Sequence, residues 1–307
     1  MVNRMKTNIF TYRNTLLAVL LSFFLVSCEK NINISLPSVQ TQVVVEGHIE
    51  TGQGAWVVLT RSSDYFATID TASLLNSIVK NATVIVSDGT HTDTLPMIID
   101  FNYLQTTFIP WYYKKANPTV IGQPGGQYSL RIVTGGQVIT SITTLPNPPI
   151  KLDSVWFKLN PPNDTLGFVW AHLRDPAGVQ NYYRWYARRL HKDKKFLAPI
   201  GATFNDKFID GKSFNFGYDR GAEPNSLAKD DQNAERGYFK KGDSVVVKFC
   251  SIDYDSYNFY SSYEVAAASN GNPFGSPSNV KSNIHGGLGI WAGFSPTFDT
   301  LLNKPHP

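Results

Sequence analysis

Short runs of alternating apolar and polar residues, each broken by a glycine turn, recur along this chain and constrain it to a β architecture. In Tyr128-Ser129-Leu130-Arg131-Ile132-Val133, the residues Tyr128, Leu130 and Ile132 share one face, the period-two mark of a strand buried on one side. Gly135-Gly136 then turns the chain into 138–143. Residues 82–87 run into Asp88-Gly89, a strong hairpin pair, and continue at 90–95. Residues 43–49 and 55–60 flank Thr51-Gly52-Gln53-Gly54 in the same manner. Beyond position 150 the strand signals are 154–159, 166–174, 180–190, 213–216 and 244–252, with Asp210-Gly211 and Lys241-Gly242-Asp243 as turns. Alternation in 180–190 puts Tyr182, Arg184, Tyr186 and Arg188 on one face, and Tyr183, Trp185 and Ala187 on the other. One helix is expected, at 253–268, capped by Asp253 or Asp255 and stopped at Ser269-Asn270-Gly271-Asn272-Pro273.

Pro146-Asn147-Pro148-Pro149 is stiff and helix-incompatible, so it reads as a linker. The expected organisation is a segment 1–27, a tether at 28–40, a β domain at 41–145, a linker at 146–150 and a second β domain at 151–307. The fold class is all-β with one helix in the C-terminal half: two β-sandwich domains, the first transthyretin- or Ig-like.

The first 27 residues have a different job. Arg4, Lys6 and Arg13 precede an apolar stretch from Leu16 to Val26, and no acidic residue occurs before Glu29. That is the layout of a secretory signal. The stretch falls well short of the roughly 20 residues that span a bilayer. Leu25-Val26-Ser27-Cys28 resembles a lipobox, which makes Cys28 the expected lipid-bearing first residue after cleavage. Acyl chains at about 0.8 kcal/mol per buried CH₂ then anchor the rest to a membrane. Without the signal, 25 basic residues face 24 acidic ones, a balance that excludes a strongly cationic nucleic-acid binder. Cys250, the second of two cysteines, lies in the strand signal at 244–252 and reads as a core residue.

Several groups invite a chemical reading. Gly286-Gly287-Leu288-Gly289 lacks the Lys-Ser/Thr of a phosphate loop and suits a bend or bulge before a closing strand at 288–294. The six histidines His48, His91, His172, His191, His285 and His306 show no zinc spacing, and no Gly-x-Ser-x-Gly elbow occurs. Carboxylates pair at Asp206/Asp210 and Asp253/Asp255. Asp231, Asn233 and Glu235 alternate like the start of a calcium loop but lack its sixth-position glycine. Helix capping, turn formation and a solvated loop are the favoured readings of these carboxylates. The basic run 188–195 suits a hairpin tip in an exported chain. Trp111, Tyr112 and Tyr113 after Pro110 are the candidate contact residues for a partner or ligand, since exposed Trp and Tyr concentrate binding energy. Core or edge packing is the alternative for them. No catalytic residue, metal site or cofactor is predicted.

The order and spacing of several pieces resemble a family of exported Bacteroidota lipoproteins, domain-of-unknown-function family 4249. They are Cys28-Glu29-Lys30, Val43-Val44-Val45-Glu46-Gly47, Asn81-Ala82-Thr83-Val84, Asp175 through Asn181-Tyr182-Tyr183-Arg184, the stretch from Asp206 to Gly211, and Asn272 through Ser295. Trp291 stands where the terminal motif leads one to expect Phe. The hairpins at 81–95 and 125–143 also resemble the transthyretin-like regulatory domain. The family brings no catalytic residues. It implies an outer-membrane lipoprotein partnered with a TonB-dependent transporter. That is the leading functional expectation, alongside a surface glycan-binding lipoprotein and an envelope hydrolase built from Asp206, Asp210, Asp253 or Asp255 with His172.

Overall fold

Among the described residues the alternating runs fold into sixteen strands, most of them antiparallel. The computed structural model describes residues 40–63, 70–101, 110–147, 149–162, 164–221, 235, 237–269 and 279–304. The signal, Cys28, almost all of the tether, Asp231 and Asn233 lie outside the described residues. None of the described helices is long and apolar enough to cross a membrane.

In the N-terminal half the strands are β1 (Val43–Glu50), β2 (Trp56–Arg61), β3 (Thr83–Ser87), β4 (Thr92–Leu95), β5 (Met97–Ile99), β6 (Trp111–Lys114), β7 (Gln127–Thr134) and β8 (Gln137–Thr144). The C-terminal half holds β9 (Ser154–Leu159), β10 (Leu166–Arg174), β11 (Tyr182–Arg189), β12 (Thr203–Asn205), β13 (Ser213–Tyr218), β14 (Phe239–Lys240), β15 (Ser244–Ile252) and β16 (Leu288–Leu302). The expected helix is α2 (Tyr254–Ser269), and its cap is Asp253, whose Oδ1 accepts from Ser256 N at 2.8 Å. A second helix, α1 (Thr71–Ser77), was not expected. Asp70 caps it through a reciprocal pair of bonds with Ser73, and it is too short to show a helical stripe in the sequence.

Turn chemistry fixes the register. The β7–β8 hairpin has both Gly135 (φ 56°) and Gly136 (φ 78°) in the positive region, as a two-residue type I′ turn demands, and pairs Thr134 with Gln137. Two four-stranded sheets result: β4-β3-β7-β8, and β13-β10-β14 with β9 also on β10. Each packs on part of one eight-stranded sheet ordered β12-β11-β15-β16-β1-β2-β6-β5.

That long sheet is continuous because of β16. Its first half runs parallel to β1, from Val44 opposite Leu288 to Glu50 opposite Phe294. Its second half runs antiparallel to β15, from Ile252 opposite Phe294 to Ser244 opposite Leu302. One strand therefore serves two sandwiches. The first core gathers Val45, Leu59, Val86, Leu130, Ile132 and Ile139, together with Trp291 from β16. The second gathers Phe157, Val169, Tyr183, Trp185, Val247 and Phe249. The 146–150 segment does separate the two sets of strands, but it is pinned to the shared one. Ser295 Oγ donates to Pro146 O at 2.6 Å, and Thr297 Oγ1 donates to Ile150 O at 3.2 Å.

On the opposite face of the long sheet, α2 covers a third cluster formed by Cys250, Ile252, Ile290, Ala292 and Phe294. The glycine-rich stretch is structural. Gly289 has φ 109°, and a Cβ there would lie 1.9 Å from Val45 O, so glycine is what allows β16 to approach β1.

Candidate functional site

The contact residues expected from sequence are separated by the fold. Tyr113 points into the first core, where its hydroxyl donates to Val79 O at 2.9 Å. Trp111 lies beneath Lys80, whose Nζ is 4.8 Å from the ring centroid. Strand alternation sends Tyr112 to the other face, and there it joins a different set of rings.

Those rings form a row across the outer face of the long sheet. Tyr112 of β6 lies 6.0 Å from Trp56 of β2, and Trp56 lies 5.1 Å from His48 of β1. His48 is 5.9 Å from Phe294 of β16, which is 6.1 Å from both Tyr186 of β11 and Tyr260 of α2. The row runs diagonally to the register: His48 and Trp56 are direct partners, whereas Phe294 lies opposite Glu50 and Tyr186 opposite Lys248. Tyr112, Trp56, His48, Tyr186 and Tyr260 each keep partial solvent access, whereas Phe294 is buried between them.

Charged side chains sit within the row, and the cations among them are matched. Lys248 of β15 pairs with Glu50 and faces the rings of Tyr186, Phe294 and Phe196 at 5.3, 5.5 and 5.6 Å. Arg184 binds Glu264 of α2 at 2.6 Å and also contacts Thr203. Its guanidinium stacks 4.0 Å over Tyr260, and its Nε donates to the Tyr186 hydroxyl at 2.9 Å. Burial works against the Arg184 charge, yet Tyr186, Tyr260 and Glu264 outweigh it and hold the group firmly protonated. Burial pushes His48 down to about 4, so at neutral pH it is an uncharged ring. Burial also raises the Tyr186 and Tyr260 phenols and lifts the Cys250 thiol to about 12, which leaves that thiol inert as a core residue.

Glu46 of β1 differs from the other charges. Its side chain is exposed, yet crowding by the surrounding chain raises its pKa, with Lys195 pulling the other way. The carboxyl also helps raise the pKa of Tyr260 on the facing helix.

The other candidates resolve into structure. Asp206 and Asp210 do meet, and Asp175 joins them, with one oxygen from each lying within 4.8 Å of the others. Among the described residues this is the one such group. Its carboxylates are already engaged: Asp206 by Asn181 N, Asp210 by Gly178 N, and Asp175 by Gly211 N and the Tyr183 hydroxyl. Burial raises the Asp175 pKa despite those donors. Asp253, Asp255 and His172 do not take part. Asp253 caps α2 and accepts from Thr143 and Thr144, and His172 pairs with Asn215 at 2.6 Å. Asp255 and His285 border a groove of about 550 Å³ on the outer side of β7 and β8. Part of the basic run at 188–195 is tied into the fold. Arg189 engages Asp193 and Glu235, Lys192 binds Asp243 at 2.7 Å, and Arg188 lies over Phe196.

Glu46, His48, Trp56, Lys248, Tyr260 and Phe294, which share this outer face, were not singled out from sequence. The signal was there in part: Glu46, His48 and Glu50 occupy alternate positions in an otherwise apolar strand, a polar face awaiting partners. Two β-sandwiches thus share one strand, and a row of aromatic rings crosses the outer face of their joint sheet. The chain belongs to the family described as Domain of unknown function (DUF4249), whose profile matches residues 29–298. Comparison with curated proteins finds none that matches.

Proposed function

We propose that this chain is a non-enzymatic binding module of the cell envelope, anchored through a lipidated Cys28 at the outer membrane and partnered with a TonB-dependent transporter. The observation that carries the binding reading is the row of partly exposed rings from Tyr112 to Tyr186, set among cations already paired with carboxylates. Such a surface offers contact area and hydrogen bonds, the features of ligand sites, without a free base beside a nucleophile. The signal layout, the lipobox and the family resemblance support the address and the partner. A rigid double sandwich also suits presentation of a site away from a membrane.

The test is a gentle-detergent pull-down of the tagged full chain from native membranes, with mass spectrometry of everything that co-elutes. A stoichiometric outer-membrane barrel supports the accessory role, and elution of the chain alone refutes it. In parallel, Cys28→Ser abolishes incorporation of labelled fatty acid and releases the chain from membranes if the anchor is as proposed.

A further inference from the structure

We infer that the groove over the outer face of β7 and β8 binds an extended acidic peptide segment, whose carboxylates engage Arg131 and Lys281 on either side of Asp255. This goes beyond the aromatic row and requires neither the lipid anchor nor the transporter.

Shape comes first. The floor of the groove is the outward set of one hairpin, with Arg131 opposite Thr140 and Ser129 opposite Ile142. Its wall is Asp255, in the first turn of α2, together with the stretch 282–285. The main cavity is about 550 Å³, a volume typical of ligand sites. A second cavity of about 290 Å³ shares Asp255, Ser282 and Asn283 with it and continues to Lys281 and Tyr254. The two make a track along the wall, which suits an extended chain better than a compact molecule.

The wall is held in place. His285 exchanges both backbone bonds with Thr140, at 2.8 and 3.0 Å. Ser141 Oγ donates to Asn283 O at 2.8 Å. The Asn283 side chain accepts from Trp291 N at 2.9 Å and donates to Trp291 O at 2.8 Å. Asp253 accepts from Thr143 and Thr144, which fixes the start of α2 against the end of β8. Little ordering is left for a ligand to impose.

Charge names the occupant. Lys115, Arg184, Lys192 and Lys248 each have a carboxylate partner. The side chains of Arg131 and Lys281 have neither an ion pair nor a hydrogen bond among the described residues. A guanidinium takes a carboxylate through two parallel bonds, and an ammonium takes one as a point charge. Asp255 stands where the two cavities meet, so the track reads cation, anion, cation. A uniformly anionic chain such as polyphosphate brings charge against Asp255 and offers it no donor. A peptide does, because its backbone N–H groups lie between its side-chain carboxylates. Ile142 and Tyr254, both exposed, give apolar contact to the residues between the acids.

The experiment is fluorescence-anisotropy titration of the full chain, in neutral detergent, with labelled hexapeptides that alternate Glu or Asp with Thr, Val or Gly. Matched Gln and Lys peptides are the controls, and succinate and tripolyphosphate are the competitors. At least one acidic peptide binds more tightly than its Gln and Lys counterparts. Arg131→Ala weakens that binding about tenfold, as expected for loss of a charged hydrogen-bonding partner. Arg131→Lys and Lys281→Ala weaken it by smaller factors. Arg174→Ala removes an exposed cation of β10, in the other sandwich, and leaves binding unchanged. Thermal melts establish that each variant is folded, and Lys281→Ala decides the matter if Arg131→Ala is not. The inference is overturned if no acidic peptide binds better than its Gln counterpart, or if folded Arg131→Ala and Lys281→Ala bind as the parent does. An equal loss in Arg174→Ala overturns it as general attraction to cations. Succinate or tripolyphosphate competing with the affinity of the peptide itself overturns it in favour of a small-anion site. A barrel that co-elutes with a chain binding no acidic peptide overturns this inference alone, and peptide binding without a barrel overturns only the accessory role.

Discussion

The first sandwich closes mainly on branched aliphatic side chains (Val45, Leu59, Val84, Val86, Leu130, Ile132 and Ile139), while the second closes on rings: Phe157, Tyr183, Trp185, Phe239 and Phe249. In the second, Tyr183 stacks on Phe249 at 5.1 Å, and Trp185 meets Phe216 edge-on at 5.8 Å. The aliphatic sandwich is held by short hairpins and local register. The aromatic one is drawn together from segments far apart in sequence, and ion pairs such as Arg189–Asp193 close its rim. The first sandwich has one indole in its buried core, Trp291, and it comes from β16. Its Nε1 donates to Tyr128 O at 3.0 Å. The contrast teaches that neither half is complete without the shared strand, and that the outer aromatic row crosses the line where they join.

The severest test of that picture is Trp291→Ala. Loss of a fully buried indole costs about 3–5 kcal/mol, and a chemical denaturation curve should keep a single transition while moving to lower denaturant. Two separated transitions would show that the sandwiches melt independently. Glu264→Leu comes next. It leaves Arg184 buried without its carboxylate, a loss of roughly 3 kcal/mol, and the Arg184→Met, Glu264→Met double variant should recover most of it. If the double variant is no better than the single, the pair is not what couples α2 to the sheet.

Acid should affect the junction through His48. Its folded pKa lies near 4, below the ordinary 6.5, so the unfolded chain binds the proton first. The contribution of the neutral ring is intact above pH 6.5 and is lost progressively as pH falls toward 4. About 1–3 kcal/mol is at stake in that window, and His48→Phe should flatten this part of the stability–pH curve. The smallest expected effect belongs to Asp253→Ala. Removal of an N-cap typically costs about 1 kcal/mol, and the same change loosens the bonds to Thr143 and Thr144, so hydrogen exchange at the start of α2 and the end of β8 should quicken together.

Local chemistry made some of this fold legible and left the rest hidden. Gly135-Gly136 and Asp88-Gly89 declare their hairpins, and the alternation in Gln127–Thr134 declares which side is buried. The closing strand was readable only from 288 to 294, because Ser295-Pro296-Thr297 resembles a break. The strand nevertheless runs on to Leu302. β1 has turned away at Glu50, opposite Phe294, so on that flank Pro296 owes no ladder bond and proline is tolerated. Site residues were harder to see. Tyr112 stood out only because it had two aromatic neighbours, yet strand geometry splits the trio across two faces. Glu46, His48 and Trp56 come from a separate hairpin, while Lys248 and Tyr260 lie some 200 positions further along the chain. No local pattern reports which outward residues will share a row, because register between distant strands decides it.

The placement of β1 also has a mechanical consequence. It is flanked on one side by β16, parallel, and on the other by β2, antiparallel, with seven and six register pairs respectively. A pull applied at Gln42 along the strand axis loads both ladders in shear, with many bonds strained at once, instead of peeling them open one at a time. Tension entering from the N-terminal side therefore meets the strongest geometry the sheet can offer.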